Sequence, residues 1–333
     1  MIKHTHTVAC GAKHSVVLLC DNTVQCWGDN HNHQCNFTHV ICTDAIQVYC
    51  GLDHSVILFS NGTIQCWGDN SANQCDPVHL TFSNVIQVSC GWYHSVALFS
   101  NGTVQCWGLK QDVAPLTFIN DAIQVACGAL HSVALLANGT VRCWGDNTYN
   151  QTDPVHLTFT DVIQIACGQT HSVALLTNGT VQCWGDNVVR QCDPLYITLT
   201  NVVRVDCGDS HSVALLSNGT VKCWGNNTDN QCDPVHLTFT NVIQIVCGWC
   251  HSVALLSDGT VQCWGNNNTN QCDPIHQTFT NVIQIACGSH HSIALLTNGT
   301  VQCWGNNHCN QCDPVHRTIT NIMLPLCTES VLW

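Results

Sequence analysis

The sequence predicts an all-β protein, a closed β-propeller of eight blades with three or four strands in each blade. The first observation behind this prediction is a unit of about forty residues that recurs eight times along the 333-residue chain. The second is an Asn-Gly or Asp-Gly pair in seven of the eight units, which is typical of a β-hairpin turn. The third is that the neighbouring segments are apolar with little alternation, as in strands buried on both faces. Seven blades and an open β-solenoid remain alternatives.

The units can be counted from a glycine that follows a cysteine once in each copy. These glycines are Gly11, Gly51, Gly91, Gly128, Gly168, Gly208, Gly248 and Gly288. Their spacing is 40 residues except for one gap of 37, so no unit carries a long insertion. We therefore expect a single domain over residues 1–333, with repeats starting near residues 7, 47, 87, 124, 164, 204, 244 and 284. Residues 7–10 and 322–327 both look like partial first strands, which would place the two ends in one blade.

One unit shows the order of elements that we expect in every blade. Residues 163–167, 172–176 and 180–184 predict three consecutive strands. The Asn-Gly pair at 178–179 predicts a two-residue hairpin turn between the last two, with positive φ at both residues. In the next unit, residues 236–240 predict a short fourth strand or an irregular connection.

The charge balance disfavours nucleic-acid binding through a basic face. Only 8 Lys and Arg residues stand against 21 Asp and Glu residues, which gives a net charge of −13, and the cations are scattered. No apolar run is long enough to span a bilayer, and the first residues contain no signal peptide. We therefore expect synthesis in the cytoplasm, with no membrane span.

The repeat resembles that of a known family. Its pattern Gly-x-x-His-Ser-x-Ala-Leu-x-x-Asn-Gly-x-Val-x-x-Trp-Gly-x-Asn-x-x-x-Gln is written at residues 168–191 as GQTHSVALLTNGTVQCWGDNVVRQ. This pattern is similar to the repeat of the regulator of chromosome condensation family, especially its compact forty-residue version in tubulin-suppressor-like members. The resemblance implies a propeller, although the founding fold has seven blades.

The resemblance also suggests two functions, but the sequence lacks a feature that each of them requires in the family. The founding member is a guanine-nucleotide exchange factor for the GTPase Ran and relies on an inserted wedge, and no insertion exists here. The plant ultraviolet receptor of the family uses Gly-Trp-Arg-His-Thr. The two closest segments here, Gly-Trp-Tyr-His at 91–94 and Gly-Trp-Cys-His at 248–251, lack the arginine.

One histidine and one tryptophan recur at the same place in every unit. The histidines are His14, His54, His94, His131, His171, His211, His251 and His291. A single catalytic or metal site does not need eight copies, so we interpret them as scaffold residues that hydrogen-bond backbone within their own blade. The tryptophans of Cys-Trp-Gly, from Trp27 to Trp304, are interpreted as packing between blades. We expect no metal, no cofactor and no catalytic residue.

Cysteine is unusually frequent, with 27 residues. Zinc is disfavoured because the only pair at knuckle spacing, Cys309 and Cys312, is unmatched. Buried thiols that act as small apolar groups are one interpretation. Disulfides are the other, and a third-strand cysteine can approach the turn cysteine nine residues later. The predicted pairs are Cys26-Cys35, Cys66-Cys75, Cys183-Cys192, Cys223-Cys232, Cys263-Cys272 and Cys303-Cys312.

Disulfides conflict with synthesis in a reducing cytoplasm. Oxidation after incorporation into a particle such as a virion would remove the conflict.

Variation among the copies indicates a binding face. The two residues between each repeat glycine and histidine change freely, and so do the tips after Trp-Gly. Strand directions place both loop sets at one end of the propeller and the Asn-Gly turns at the other. The candidate partner-binding residues are Lys13, Asp53, Trp92, Tyr93, Leu130, Asp209, Trp249 and His290. Drift in unpacked loops is the alternative explanation.

These observations favour a non-enzymatic interaction or structural protein. It would present its loops to a protein partner, or to copies of itself in a homo-oligomer, coat or fibre such as that of a virus particle. A regulatory protein of the exchange-factor type and a propeller-type enzyme inhibitor are the alternatives. The chain also contains 20 histidines, so we expect association to weaken below about pH 6 as loop histidines such as His31, His33, His290 and His308 titrate.

Overall fold

Eight antiparallel sheets follow one another along the chain, so the protein has eight blades rather than seven. A computed structural model describes residues 8–19, 23–36, 40–76, 83–109, 120–153, 160–193, 199–232, 240–272 and 280–312. Every regular element in these ranges is a β-strand. Each blade contains three strands, and the first blade adds a fourth, Val40–Ile41.

The strands of successive blades have nearly the same length. The first strands are Val8–Cys10, Ala45–Cys50, Val85–Cys90, Ala122–Cys127, Val162–Cys167, Val202–Cys207, Val242–Cys247 and Val282–Cys287. The second strands are His14–Leu18, His54–Phe59, His94–Phe99, His131–Leu136, His171–Leu176, His211–Leu216, His251–Leu256 and His291–Leu296. The third strands are Thr23–Gly28, Ile64–Gly68, Val104–Gly108, Val141–Gly145, Val181–Gly185, Val221–Gly225, Val261–Gly265 and Val301–Gly305.

The second strand lies in the middle of each blade and explains why the repeat is apolar without alternation. In blade 5 it pairs with the first strand at Cys167 and Ser172, and with the third strand at His171 and Gly185. Its residues are buried on both faces. Val173 and Leu175 pack against the next blade, including Trp224. The repeat tryptophans therefore pack between blades, as predicted.

The hairpin turn differs from the predicted two-residue form. Gly179 N donates to Leu176 O at 2.9 Å and Leu176 N donates to Thr180 O at 2.9 Å, so the loop contains three residues. Only Gly179 takes a positive φ, of 76°. The prediction was wrong because a type I turn followed by a left-handed glycine uses the same Asn-Gly pair. Asn178 has a different task, since its Oδ1 accepts from Thr180 N at 2.9 Å and Thr180 Oγ1 at 2.6 Å.

Side chains of the first and last blades join to close the ring. His291 Nε2 and Ser15 Oγ lie 2.9 Å apart, and Trp27 Nε1 donates to Gln311 O at 3.0 Å. Val17 of blade 1 packs in one apolar cluster with Ile293 of blade 8. The same contacts recur between the other blades, so the two ends of the array meet as ordinary neighbours.

The repeat histidines are scaffold residues, but their partners differ from the prediction. His171 Nε2 lies 2.8 Å from Ser212 Oγ, and each of the other seven meets the equivalent serine of the next blade at 2.7 to 2.9 Å. We predicted bonds to backbone within the same blade. The histidine begins the central strand, whose own backbone is already paired, so its side chain reaches across the interface instead.

Two predicted segments lie outside the described residues. These are the fourth segment at 236–239 and the terminal segment at 322–327. None of the described segments forms a helix with the length and apolar character that crossing a membrane requires.

Candidate functional site

The two variable loop sets lie at the same end of the propeller, as the strand directions predict. In blade 5, Asp186 N, which follows the third strand, donates to Thr170 O of the glycine-to-histidine loop at 2.9 Å. The same bond joins Asn226 to Ser210 in blade 6 at 2.8 Å. The hairpin turns lie at the opposite end, where Gly179 O accepts from Val202 N of the next blade at 3.0 Å.

The glycine-to-histidine loops form a closed ring of backbone hydrogen bonds around the propeller axis. In seven of the eight blades the amide that follows the repeat glycine donates to the equivalent carbonyl of the next blade, at distances between 2.9 and 3.3 Å, and Ser289 N completes the circle by donating to Ala12 O. In blade 2, Leu52 N donates instead to Gly91 O at 3.4 Å. A Cβ on Gly168 would lie 2.2 Å from His171 Cε1 and 2.6 Å from Gly208 O. Glycine is therefore required for neighbouring loops to approach this closely.

This ring surrounds an axial cavity of about 180 Å³. Its wall contains the eight repeat glycines, the eight cysteines that precede them and the first residue of each variable pair. Those first residues are Ala12, Leu52, Trp92, Ala129, Gln169, Asp209, Trp249 and Ser289. Each of these cysteine thiols makes a hydrogen bond with the Oγ of the serine five residues later, at a distance below 4 Å.

Four of the predicted binding residues form one aromatic cluster at the centre of this face. Trp92 of blade 3 and Trp249 of blade 7 come from opposite sides of the ring, and their ring centroids are 6.1 Å apart at 33°. Tyr93 meets Trp92 edge-on at 6.5 Å. His290 meets Trp249 edge-on at 5.6 Å. We call these four residues the aromatic cluster.

Asp209 is the predicted charged residue that lines the cavity together with the two tryptophans. Burial raises the pKa of its carboxyl, and the hydrogen bond from Ser210 Oγ at 3.4 Å opposes this shift. With its amide nitrogen turned towards blade 6, Gln169 also donates to Asp209 Oδ1 at 2.8 Å.

The remaining predicted residues lie further from the axis. Burial and the nearby Asp29 raise the pKa of Asp53, and Lys13 lowers it, so Asp53 and Lys13 are electrostatic neighbours. Lys13 is exposed and Leu130 is half-buried. These three residues take the second position of their variable pairs, which the cavity wall does not include.

Sequence reasoning missed that the first and second residues of each variable pair have different surroundings. Ala12, Leu52, Ala129, Gln169 and Ser289 line the cavity but were not among the predicted binding residues. The repeat could have indicated that the first residues line the cavity, because eight equivalent positions in a closed array must form one ring. Ser289 is notable, since its side chain is only 3% exposed and its Oγ has no hydrogen-bond partner among the described residues.

The histidines divide into two groups by their surroundings. Burial, reinforced by neighbouring histidines, lowers the pKa of His171 to about 3. The pKa of His290 is also lowered, by partial burial and then by Lys13. We predicted that His290 would be among the first to gain a proton. The contact with Trp249 and the nearby lysine oppose protonation of His290, and the order in which the loop histidines titrate stays a prediction.

The predicted cysteine pairs lie close to each other in the six blades concerned. Burial raises the pKa of Cys66 well above its usual range, and Cys75 raises it further. The same relation holds in the other five pairs. Cys75 is a thiol in the structure and its Sγ donates to Asp69 O at 3.1 Å. The disulfides therefore stay a prediction.

Among the described residues, no group of three His, Cys, Asp or Glu side chains is arranged to hold a metal ion.

The regulator of chromosome condensation (RCC1) repeat matches this chain eight times. The matches cover residues 6–34, 45–74, 85–111, 122–151, 162–191, 202–231, 242–271 and 282–311. No curated protein sequence matches the chain.

Solved structures with a similar fold come from several organisms. The ectodomain of the receptor kinase CR4 from Physcomitrella patens is 22% identical over 78% of this chain and 74% of its own, with a TM-score of 0.59. Human WBSCR16 is 23% identical over 75% of this chain and 86% of its own, with a TM-score of 0.56. Prp20p from Saccharomyces cerevisiae, described with its binding properties to Gsp1p and histones, is 21% identical over 71% of this chain and 75% of its own, with a TM-score of 0.53. At these identities the similarity shows the fold alone.

Proposed function

The chain belongs to the regulator of chromosome condensation (RCC1) repeat family, and on that premise we propose that it is a non-enzymatic binding protein that holds a protein partner on its variable-loop face. The observation that carries this proposal is the aromatic cluster. Trp92 and Trp249 sit in different repeats, yet their rings meet on the axis with Tyr93 and His290 beside them.

Aromatic anchors at the centre of a face are typical of binding hot spots. Tryptophan and tyrosine carry a large share of the free energy of protein association, and they cluster near the middle of an interface with polar residues at its rim. Here the charged Lys13 and Asp53 lie away from the cavity wall that holds Trp92 and Trp249. The closed ring of strands beneath keeps the loops in place, which lowers the entropy cost of binding.

A triple substitution tests the proposal. We expect Trp92→Ala, Tyr93→Ala and Trp249→Ala together to reduce capture of the partner from the native source by more than about thirtyfold, because anchors of this kind contribute about 2 kcal/mol or more. Capture is measured by affinity purification with quantitative mass spectrometry. Sedimentation velocity on the same proteins shows whether the partner is a second copy of the chain.

The opposite end of the propeller supplies a matched control. Ile123, Ile163 and Ile243 are each more than half exposed at the start of their blades. Replacing these three by alanine removes a similar apolar surface from the hairpin-turn end and should leave capture unchanged. Equal capture by the aromatic variant and the native protein, or loss in the isoleucine variant alone, would contradict the proposal.

The exchange-factor alternative has a separate test. If the chain accelerated release of a fluorescent guanine nucleotide from a small GTPase, regulation of that GTPase would replace simple binding as its function.

A further inference from the structure

We propose that the axial cavity binds a compact organic cation, a methylated ammonium group, held by the indoles of Trp92 and Trp249 and by the carboxylate of Asp209. This inference goes beyond the proposed function, since a small cation can occupy the cavity without any protein partner. It rests on a charged residue, two aromatic residues and a residue with an unpartnered hydroxyl, all of which line the cavity.

The charge comes from Asp209. This residue lines the cavity and is partly buried, and its carboxylate contacts neutral groups, namely the Ser210 hydroxyl and the Gln169 amide. A partly buried carboxylate is stabilised by a cation placed beside it, because burial removes the water that would otherwise solvate the charge.

Lys13, on the same face, does not neutralise Asp209. Lys13 shifts the pKa of Asp29, Asp53 and His290, which places it beside blades 1, 2 and 8. Asp209 belongs to blade 6, which faces blade 2 across the ring. The carboxylate therefore lies on the side of the cavity away from this ammonium group.

The aromatic surface comes from the two tryptophans. Indole is the ring that attracts a cation most strongly over its face, and the attraction grows when the cation is desolvated. Both tryptophans line the cavity, and the indole of each has an edge-on neighbour, Tyr93 or His290. The centroids of the two indole rings are 6.1 Å apart, which leaves no room for a cation between them. We therefore expect the cation to lie beneath both rings, inside the cavity.

Ser289 supplies the unused hydroxyl. Ser289 lines the same cavity as Trp249 and is only 3% exposed. Its Oγ is buried and has no hydrogen-bond partner among the described residues. A buried hydroxyl without a partner is costly, so a polar ligand or water that bonds to it stabilises the folded protein.

The cavity volume of about 180 Å³ is also large enough for the cation. An apolar cavity of roughly 150 Å³ holds a benzene ring, which is similar in size to a methylated ammonium group.

Calorimetry with two probes of equal shape tests the charge requirement. Choline carries a trimethylammonium group, and 3,3-dimethylbutan-1-ol replaces its nitrogen by carbon. We expect the full-length protein to bind choline saturably and at least about tenfold more tightly than the neutral probe, the equivalent of about 1.4 kcal/mol. Quenching of tryptophan fluorescence should saturate over the same choline concentrations.

Two aspartates give a matched pair of variants. Asp209→Asn keeps the shape of the side chain and should weaken choline binding about tenfold or more while leaving the neutral probe unaffected. Asp53→Asn removes a carboxylate of the same face that does not line the cavity, and it should change neither. Thermal unfolding of both variants checks that the fold is intact. No saturable choline binding, equal binding of the two probes, or an equal loss in both variants would overturn the proposal.

A peptide with one trimethyllysine, compared with its unmethylated form, distinguishes the source of the cation. Tighter binding of the methylated peptide than of choline assigns the site to a modified side chain of a protein, and the reverse assigns it to a free molecule. Asp209→Asn leaves Trp92, Tyr93 and Trp249 in place. In Asp209→Asn we therefore expect choline binding to fall while partner capture is retained. Absence of choline binding by the native protein, with partner capture that depends on the aromatic cluster, contradicts this inference alone; choline binding without such capture contradicts only the proposed function.

Discussion

His171 and its seven equivalents each join two blades through a single nitrogen. Nε2 meets a serine of the next blade, while Nδ1 is buried without a hydrogen-bond partner among the described residues. A buried polar atom that loses its only partner costs more than an exposed one, because no water replaces the lost bond. The serines should therefore matter more for stability than their small size suggests.

Replacing Ser212 by alanine tests this at the residue scale. The change leaves His171 Nε2 without its partner, so we expect the free energy of unfolding to fall by about 1 to 3 kcal/mol. Ser217, on the same blade but exposed, is the control, and its replacement by alanine should change stability by less than about 0.5 kcal/mol. Urea unfolding followed by circular dichroism measures both. Equal stability of the two variants would show that the histidine-serine bond contributes nothing.

At the scale of the element, the hairpin turn is defined by its hydrogen bonds as well as by its glycine. Asn178 Oδ1 accepts two bonds from Thr180. In blade 7 the equivalent position is Asp258, whose Oδ1 accepts the same two bonds from Thr260. The turn therefore needs a side-chain oxygen acceptor and not an amide.

Two substitutions at Asn178 separate these requirements. Asn178→Ala removes the acceptor and should destabilise the protein by about 1 kcal/mol. Asn178→Asp keeps it, as blade 7 does naturally, and should leave the melting temperature within a degree or two, because one surface substitution changes stability by less than about 0.5 kcal/mol. Differential scanning calorimetry distinguishes the two. If the aspartate variant were as unstable as the alanine variant, the amide group would have a task that the structure does not show.

The six predicted disulfides also belong to this scale, since each would join a third strand to its own turn. In protein from its native source we expect peptide mapping without reduction to find Cys66 bonded to Cys75, and likewise in the other five pairs. Each bond would close a short loop and add about 2 to 3 kcal/mol. Cys106 and Cys143 lack a turn cysteine and should be recovered as thiols. Recovery of the six pairs as thiols would leave burial as the reason for these cysteines.

At the scale of the whole molecule, the histidines form one acid-sensitive ring. Burial lowers the pKa of six of them to about 3 and of two to about 4. In the unfolded chain each takes up a proton near pH 6.5. The unfolded state therefore binds more protons between pH 6.5 and about 4, and stability must fall as the pH falls through this range.

We expect the melting temperature to be constant above pH 7 and to drop steeply between pH 6.5 and 4.5. Each histidine contributes up to about 1.4 kcal/mol per pH unit, and eight act in the same direction. Asp206 opposes them, because burial raises its pKa to about 6, and burial shifts the pKa of Asp53 and Asp209 in the same direction, but these are three groups against eight. Replacing His290, a single half-buried histidine outside the ring, by asparagine should leave most of the drop in place. A flat profile from pH 7.5 to 4.5 would contradict this account. If the drop is observed, acid acts through unfolding rather than through the loop histidines that the sequence suggested.

The sequence by itself determined the class of fold, the eight repeats, the strand order and the face that carries the variable loops, whereas the structure decided for eight blades over seven. It could do so because a repeated unit must make the same bonds in every copy, and strands that are apolar throughout must be buried on both sides. It also indicated Trp92, Tyr93, Trp249 and His290 as binding residues. Only the tertiary structure decided that these four meet on the axis, that Asp209 lines a cavity with Trp92 and Trp249 while Asp53 does not, and that each repeat histidine bonds to the next blade. These facts depend on contacts between residues about 40 or more than 150 positions apart, which the closure of the ring creates and no local pattern records.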